Sequence, residues 1–250
     1  CSIKLDIHTY IHSLLKTQFQ INLLKLSGDV NPNPGPTCSK QHNSTGQQKP
    51  TRLLTFYANA RSIVNKTSKL ELDVAASRHD IIVLTETHLD SSISDGEIFP
   101  NNYTIFRRDR RLNGRKGGGI LIVMRDNIKA IPNDTSQYDS EFIFVDVLFS
   151  HNRKVTLGVF YRPPNNEIKP IEDLQAFLQE LSTNELILLG DFNLPEIDWS
   201  NNRVLRQSDV YILLMDVVQD NFLTQLTNEP TRSKSVYSGF LPQYQIVLYM

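Results

Sequence analysis

The sequence predicts an α/β fold built as a layered sandwich. Three observations predict it. Apolar runs of strand length recur and end on oxygen-bearing side chains, as in 53–59, 81–86 and 186–193. Two later segments carry apolar residues at helical three- and four-residue steps. Strands and helices interleave without strict alternation, which favours layers over a closed barrel.

The elements follow in chain order. Residues 1–26 carry Ile11, Leu14, Leu15, Phe19 and Leu23 at mixed spacing, which reads as a weak amphipathic helix. Lys4, Asp6, Lys16 and Lys25 interrupt that stretch and argue against a secretory leader. Residues 27–36 hold Pro32, Pro34 and Pro36 with Gly28 and Gly35, which end any helix and read as a rigid linker. Residues 37–51 are polar, with almost nothing to bury, and read as a disordered linker. From 52 to 232 the pattern is that of one domain, followed by a divergent tail over 233–250. Within the domain, 66–79 reads as a helix and 119–124 as a strand. The runs 142–149 and 155–161 read as neighbouring strands joined by the turn 150–153. Ile168, Ile171, Leu174, Phe177, Leu178 and Leu181 form one helical stripe. Ser208 and Asp209 suit the cap of a helix running through Leu213, Leu214, Val217 and Val218 to Phe222.

Composition narrows the function classes. A length of 250 residues with 40% hydrophobic content supports one large core and a tail. A net charge of −1 supplies no global field toward nucleic acid, so any such contact must come from a local patch. No apolar window is long enough to cross a membrane as a helix. Cys1 and Cys38 precede the apparent core, make no disulfide framework and suit a reducing compartment. The first residue is Cys1 rather than Met, which reads as a fragment of something longer. No spacing among the six histidines suggests zinc.

The chemistry lies at the strand ends. Asn59, Glu86, Asp191 and Asn193 each close an apolar run. Strands that end together would gather these oxygens at one sheet edge, a donor set suited to Mg²⁺ with Mn²⁺ as the alternative. Any one Gly-Asp after a strand is more often a turn. Three such ends, with the Phe-Asn continuation of Gly190-Asp191, shift the balance toward a site. Tyr161 also ends a strand, where packing with a wet hydroxyl is the competing reading. Arg107, Arg108, Arg110, Arg111, Arg115 and Lys116 face one acid, Asp109. Such a run is usually a solvated loop. Beside a cleft that takes nucleic acid it would contact phosphates, with Arg61 as a further candidate.

Asn59-Ala60-Arg61-Ser62, Thr85-Glu86-Thr87, Gly117-Gly118-Gly119, Tyr161-Arg162-Pro163-Pro164 and Gly190-Asp191-Phe192-Asn193 with Asp198-Trp199 occur in order. This set resembles the endonuclease domain of non-LTR (LINE-type) retrotransposons. That domain lies within the endonuclease/exonuclease/phosphatase superfamily, alongside deoxyribonuclease I and apurinic endonucleases. The resemblance implies a four-layered, deoxyribonuclease-I-like α/β sandwich that nicks double-stranded DNA with Mg²⁺. By the same resemblance, Glu86 would be the principal metal ligand with Asn59 beside it. Asp191 would orient or activate the attacking water, Asn193 would bind the scissile phosphate or the metal's water, and Tyr161 would donate its hydroxyl. Reverse transcriptase and element RNA would be partners in the full-length protein. Synthesis would be cytoplasmic and the site of action nuclear.

The segment Asp29-Val30-Asn31-Pro32-Asn33-Pro34-Gly35-Pro36 resembles the 2A-type ribosome-skipping peptide. Asp29, Asn33, Pro34, Gly35 and Pro36 match its pattern, and Asn31 stands where that pattern has Glu. The resemblance implies separation at the Gly35–Pro36 bond.

One departure stands out. The nuclease resemblance implies a late Asp-bearing strand and a C-terminal Ser-Asp-His segment, but the last histidine here is His151 and no Asp follows Asp220. The expectation is that the last strands are missing or divergent, that a strand edge is left open and that activity is impaired. Two alternatives remain. One is a phosphomonoesterase of the same superfamily. The other is a non-catalytic, degenerate remnant.

Overall fold

The computed structural model describes residues 19–22, 53–66, 74, 77–110, 117–149, 152–165, 167–226 and 246–250. The segment from Asp29 to Pro36, the linker 37–51, Arg111, Arg115, Lys116, Ser150, His151 and the tail 233–245 lie outside them. The helix expected over 66–79 falls mostly outside as well. Within it, Val74 is helical and a 3-10 turn spans Val64–Lys66.

Two sheets form the middle of the molecule. The first contains β1 (Phe19–Asn22), β2 (Leu54–Asn59), β3 (Ile81–Thr85), β4 (Tyr103–Arg108) and β5 (Ile120–Arg125), in the order β1-β2-β3-β5-β4. The second contains β6 (Ala130–Pro132), β7 (Glu141–Leu148), β8 (Lys154–Tyr161), β9 (Leu186–Asp191), β12 (Thr224–Gln225) and β13 (Ile246–Tyr249), in the order β12-β13-β9-β8-β7-β6. The pairs β2–β3 and β8–β9 are parallel, and the others are antiparallel. A small hairpin joins β10 (Ile197–Asp198) to β11 (Arg203–Val204). The helices α1 (Lys169–Glu180) and α2 (Asp209–Asp220) follow β8 and the hairpin.

Strand alternation sorts the side chains into layers. Tyr57, Val83 and Ile122 of the first sheet meet Val145, Val159 and Leu189 of the second in one core. The opposite face of the second sheet, with Phe142, Phe144 and Phe160, packs under α1 and α2. The opposite face of the first sheet, with Phe56, Leu84 and Leu121, is covered by Val74, Leu89, Ile98 and Phe99. Strands buried on both faces read as continuous apolar runs, which is why they were visible in the sequence. The α/β sandwich expected from sequence is therefore the observed architecture.

Four expectations need correction. Phe19–Asn22 is a strand rather than part of a helix, because it pairs with the otherwise open edge of β2. Arg107 and Arg108 are the last two residues of β4 rather than loop residues, paired with Leu121 and Ile120. Ser208 stands at the N-cap of α2 without a side-chain cap hydrogen bond. The edge of β9 is not open: Ile246–Tyr249 pairs antiparallel with it, from Ile246 opposite Gly190 to Tyr249 opposite Ile187.

Candidate active site

The site forms where the inner faces of the two sheets run out. Asn59 lies two residues beyond Tyr57, Tyr161 two beyond Val159, and Asp191 two beyond Leu189, so alternation aims all three the same way as the inner core. Glu86 follows β3 directly. Across the second sheet, Glu141, Tyr161 and Asp191 are successive partners on neighbouring strands. Across the first, Asn59 is opposite Thr85.

Asn59 joins the sheets. Its Nδ2 donates to Glu86 Oε1 at 2.9 Å and to Asp191 Oδ2 at 2.8 Å. Its Oδ1 accepts from the Arg61 backbone N–H at 3.2 Å. Asp191 Oδ1 accepts from the Asn193 N–H at 3.3 Å, and Asn193 Nδ2 donates to the Arg162 carbonyl at 2.6 Å. The structure thus brings together Asn59, Glu86, Asp191 and Asn193. Tyr161 shares a ladder rung with Asp191.

The backbone here is unusual. Arg61, Ser62, Glu86, His88 and Asn193 have φ of 47, 77, 54, 58 and 50°, in the left-handed region that non-glycine residues rarely adopt. Such conformations cost on the order of 1 kcal/mol or more each and persist when the surroundings fix them. Here the Ser62 N–H donates to the Glu86 carbonyl at 2.7 Å, Thr87 to Gly119 at 3.1 Å, and His88 to Gly118 at 2.8 Å. Gly190 is required for a different reason, since a Cβ there would lie 2.6 Å from the Phe160 carbonyl oxygen.

Burial, with Glu86 nearby, pushes the Asp191 carboxyl up to about 6, while the Asn59 hydrogen bond opposes the rise. Burial, Glu86 and Asp191 together raise the Tyr161 phenol well above its ordinary value, and Arg110 opposes them. Tyr161 therefore keeps its proton and is a hydrogen-bond donor at neutral pH.

The basic residues fall into separate groups. Arg61 is exposed beside Asn59. Arg107 is engaged within the protein, with Asp95 at 2.9 Å, Asp109 at 2.6 Å and the carbonyls of Asp90 and Ile93. Arg108 donates to the carbonyls of Thr135 and Tyr138. Arg110 pairs with Glu141 at 2.6 Å and lies over the Tyr161 ring, 5.5 Å from its centroid. Arg162 is buried, and its guanidinium donates to the carbonyls of Pro163, Asn165 and Glu167. Asp198 bonds Arg203 at 3.0 Å and Asn201 at 2.9 Å in the hairpin. Glu141 was not singled out from sequence, because an acid at the start of a strand carries no distinctive signal.

Two carboxylates sharing one amide donor form a concentration of negative charge that a cation would relieve. The carboxylate oxygens of Glu86 and Asp191 are hard donors, and Asn59 presents its Nδ2 to both of them and its Oδ1 to the Arg61 N–H. Among the described residues no group of three or more His, Cys, Asp or Glu gathers around a metal-sized space. Mg²⁺ keeps several waters and takes one or two carboxylates from protein, so Glu86 and Asp191 are residues that would suit it.

Comparisons with known proteins place the fold. Residues 155–241 match the family model described as endonuclease-reverse transcriptase. The endonuclease domain of TRAS1, a telomere-specific non-LTR retrotransposon, superposes with a TM-score of 0.57 at 14% identity, covering 78% of this chain and 82% of that one. The chain shares its fold with that domain. Within that fold, the catalytic domain of Xenopus laevis APE2 superposes with a TM-score of 0.53 at 16% identity, covering 78% and 81%. A 3′ phosphatase from Neisseria bound to a product DNA hairpin gives a TM-score of 0.51 at 16% identity, covering 78% and 84%. No curated protein sequence matches the chain. In this chain Asn59, Glu86, Tyr161, Asp191 and Asn193 lie at one end of the paired sheets.

Proposed function

We propose that this chain is a Mg²⁺-dependent DNA endonuclease of the non-LTR retrotransposon type, which nicks target DNA by hydrolysing a phosphodiester bond. One observation carries the reading: Asn59 Nδ2 lies within 2.9 Å of Glu86 and 2.8 Å of Asp191, which joins two carboxylates from different sheets in one site. Glu86 and Asn59 would hold the metal, with Mn²⁺ as the alternative ion. When bound, the metal supplies charge neutralisation on the phosphate oxygens and stabilises the leaving oxygen. As a carboxylate, Asp191 orients a water and accepts its proton. The Tyr161 hydroxyl donates to a phosphate oxygen. Asn193, fixed by the Arg162 carbonyl, has a second amide N–H for the same phosphate. Arg61, with Arg111, Arg115 and Lys116, supplies DNA backbone contacts. The likeness to a retrotransposon endonuclease supports DNA as substrate, with reverse transcriptase and element RNA as partners and the nucleus as the site of action. No His follows His151 in the sequence, so the reading expects slow nicking from residues 1–250 alone.

Plasmid nicking tests the proposal. Open-circle product in Mg²⁺, lost with chelator and in Asp191→Asn, is the expected result. Hydrolysis of a small phosphomonoester with DNA left intact would overturn it.

For the N-terminal segment we propose ribosome skipping between Gly35 and Pro36. Cell-free translation of residues 1–36 ahead of a reporter should give two products. A single fused band, unaffected by Pro36→Ala, would reject this.

A further inference from the structure

Arg110 and Glu141 form the most tightly built group beside the site. Glu141 is only 7% exposed, yet it is an acid. Both of its oxygens are engaged: Oε1 accepts from Arg110 Nε at 2.6 Å and Oε2 from the Gly119 N–H. Gly119 in turn accepts from Thr87 N–H, on the loop that carries Glu86. On its own sheet, Glu141 sits directly opposite Tyr161. Glu141 therefore connects the Glu86 loop of one sheet to the Tyr161 strand of the other.

The guanidinium it holds is closely confined. Arg110 lies over the Tyr161 ring. A Cβ at Gly118 would come within 2.4 Å of Arg110 Cζ and Nε, so only glycine lets the planar group lie against this backbone. Arg110 Nη2 is buried and has no hydrogen-bond partner among the described residues. A desolvated cationic donor without an acceptor is costly, and native proteins usually satisfy such groups. An acceptor oxygen that approaches the planar fork would satisfy it, and a phosphate oxygen has that chemistry.

We propose that Glu141 is a positioning residue, which by holding Arg110 Nε and Gly119 N–H aims the Nη side of Arg110 at a substrate phosphate beside Tyr161. The inference rests on the phosphodiesterase reading above and adds a group to it. Arg110 then acts as a fixed donor to the reacting phosphate rather than as one of several diffuse cations that raise affinity for DNA. A buried ion pair with no such role would be replaceable by other well-packed groups without effect on turnover.

The test uses the whole 250-residue chain and two readouts. In plasmid nicking, Glu141→Gln is expected to lower kcat by roughly 10–100-fold with KM changed far less, the pattern of a lost transition-state contact. Arg110→Lys, which keeps the charge but loses the fork, should fall equally, and the double variant should be no worse than Arg110→Lys alone. In NMR spectra of arginine side chains, inorganic phosphate should shift the Arg110 Nε–H signal in the parent protein and not in Glu141→Gln. Parent-like turnover in both variants overturns the proposal, as does an Arg110 signal unmoved by phosphate. If Glu141→Gln does not fold, Arg110→Lys decides the kinetic arm. If the parent protein does not nick DNA, the endonuclease reading fails, and the phosphate-induced shift alone decides the role of Glu141.

Discussion

Glu86 and Asp191 share a single amide: Asn59 Nδ2 is 2.9 Å from Oε1 of the first and 2.8 Å from Oδ2 of the second. Two acids arriving from separate sheets are thus held within reach of one donor. Burial first, and then the charge of Glu86, raises the Asp191 carboxyl to about 6 from 3.8.

That rise sets a pH dependence with a definite sign. The folded protein binds the Asp191 proton more tightly than the unfolded chain does. Between 3.8 and about 6 the folded state therefore carries more protons, and this contribution to stability falls as pH rises. A tenfold difference in proton affinity between the two states corresponds to about 1.4 kcal/mol. Urea unfolding across that window should show a loss in the parent protein that is absent in Asp191→Asn. If Asp191 acts as proposed, nicking requires the carboxylate and should run the other way, rising with pH through about 6.

Removing the charge of Glu86 should weaken the metal site without unfolding the protein. Glu86 follows the buried strand β3 and is itself only half-buried. Glu86→Gln is expected to reduce Mg²⁺ affinity roughly tenfold or more, as losses around metal sites commonly do. Calorimetric titration checks this, and unchanged affinity would remove Glu86 from the ligand set.

The Tyr161 hydroxyl should matter to rate and little to stability. The ring is buried in the core between the sheets, and Phe fills the same space. Tyr161→Phe is expected to lower kcat by on the order of 10–100-fold, with a change in unfolding free energy below about 1 kcal/mol. Parent-like turnover would show that the residue only packs.

Gly190→Ala is expected to destabilise. The new Cβ would meet the Phe160 carbonyl oxygen at 2.6 Å and the Phe192 ring at 2.8 Å. A backbone atom in a paired strand cannot give way, so the cost should reach about 1–3 kcal/mol. Thermal or urea unfolding measures it directly.

Much of this was legible in the sequence because buried strands write themselves as apolar runs. The runs ending at Asn59, Glu86, Tyr161 and Asp191 are strands, and their ends do converge, apart from the one-residue step past β3 to Glu86. The roles of Arg107 and Arg108 were not legible. Their partners at Asp95, Thr135 and Tyr138 lie 12 to 30 positions away, and nothing local separates a pinned arginine from a solvated one. Glu141 was hidden for the same reason: its partners Arg110 and Gly119 are set by how two sheets meet. Phe19–Asn22 is four residues long, too short for its spacing to separate helix from strand, and an open edge decided the matter.

The strand β13 has a consequence for the order in which the fold is completed during synthesis. β9, which ends in Asp191, has β8 on one side and Ile246–Tyr249 on the other. Leu248 is fully buried against the helix-covered face of that sheet. A ribosome releases these residues more than fifty positions after Asp191, long after β8 and α1. Through that interval one side of β9 has no partner strand. Domains fold as units during synthesis, so the strand that carries Asp191 gains both of its neighbours only when Ile246–Tyr249 arrives.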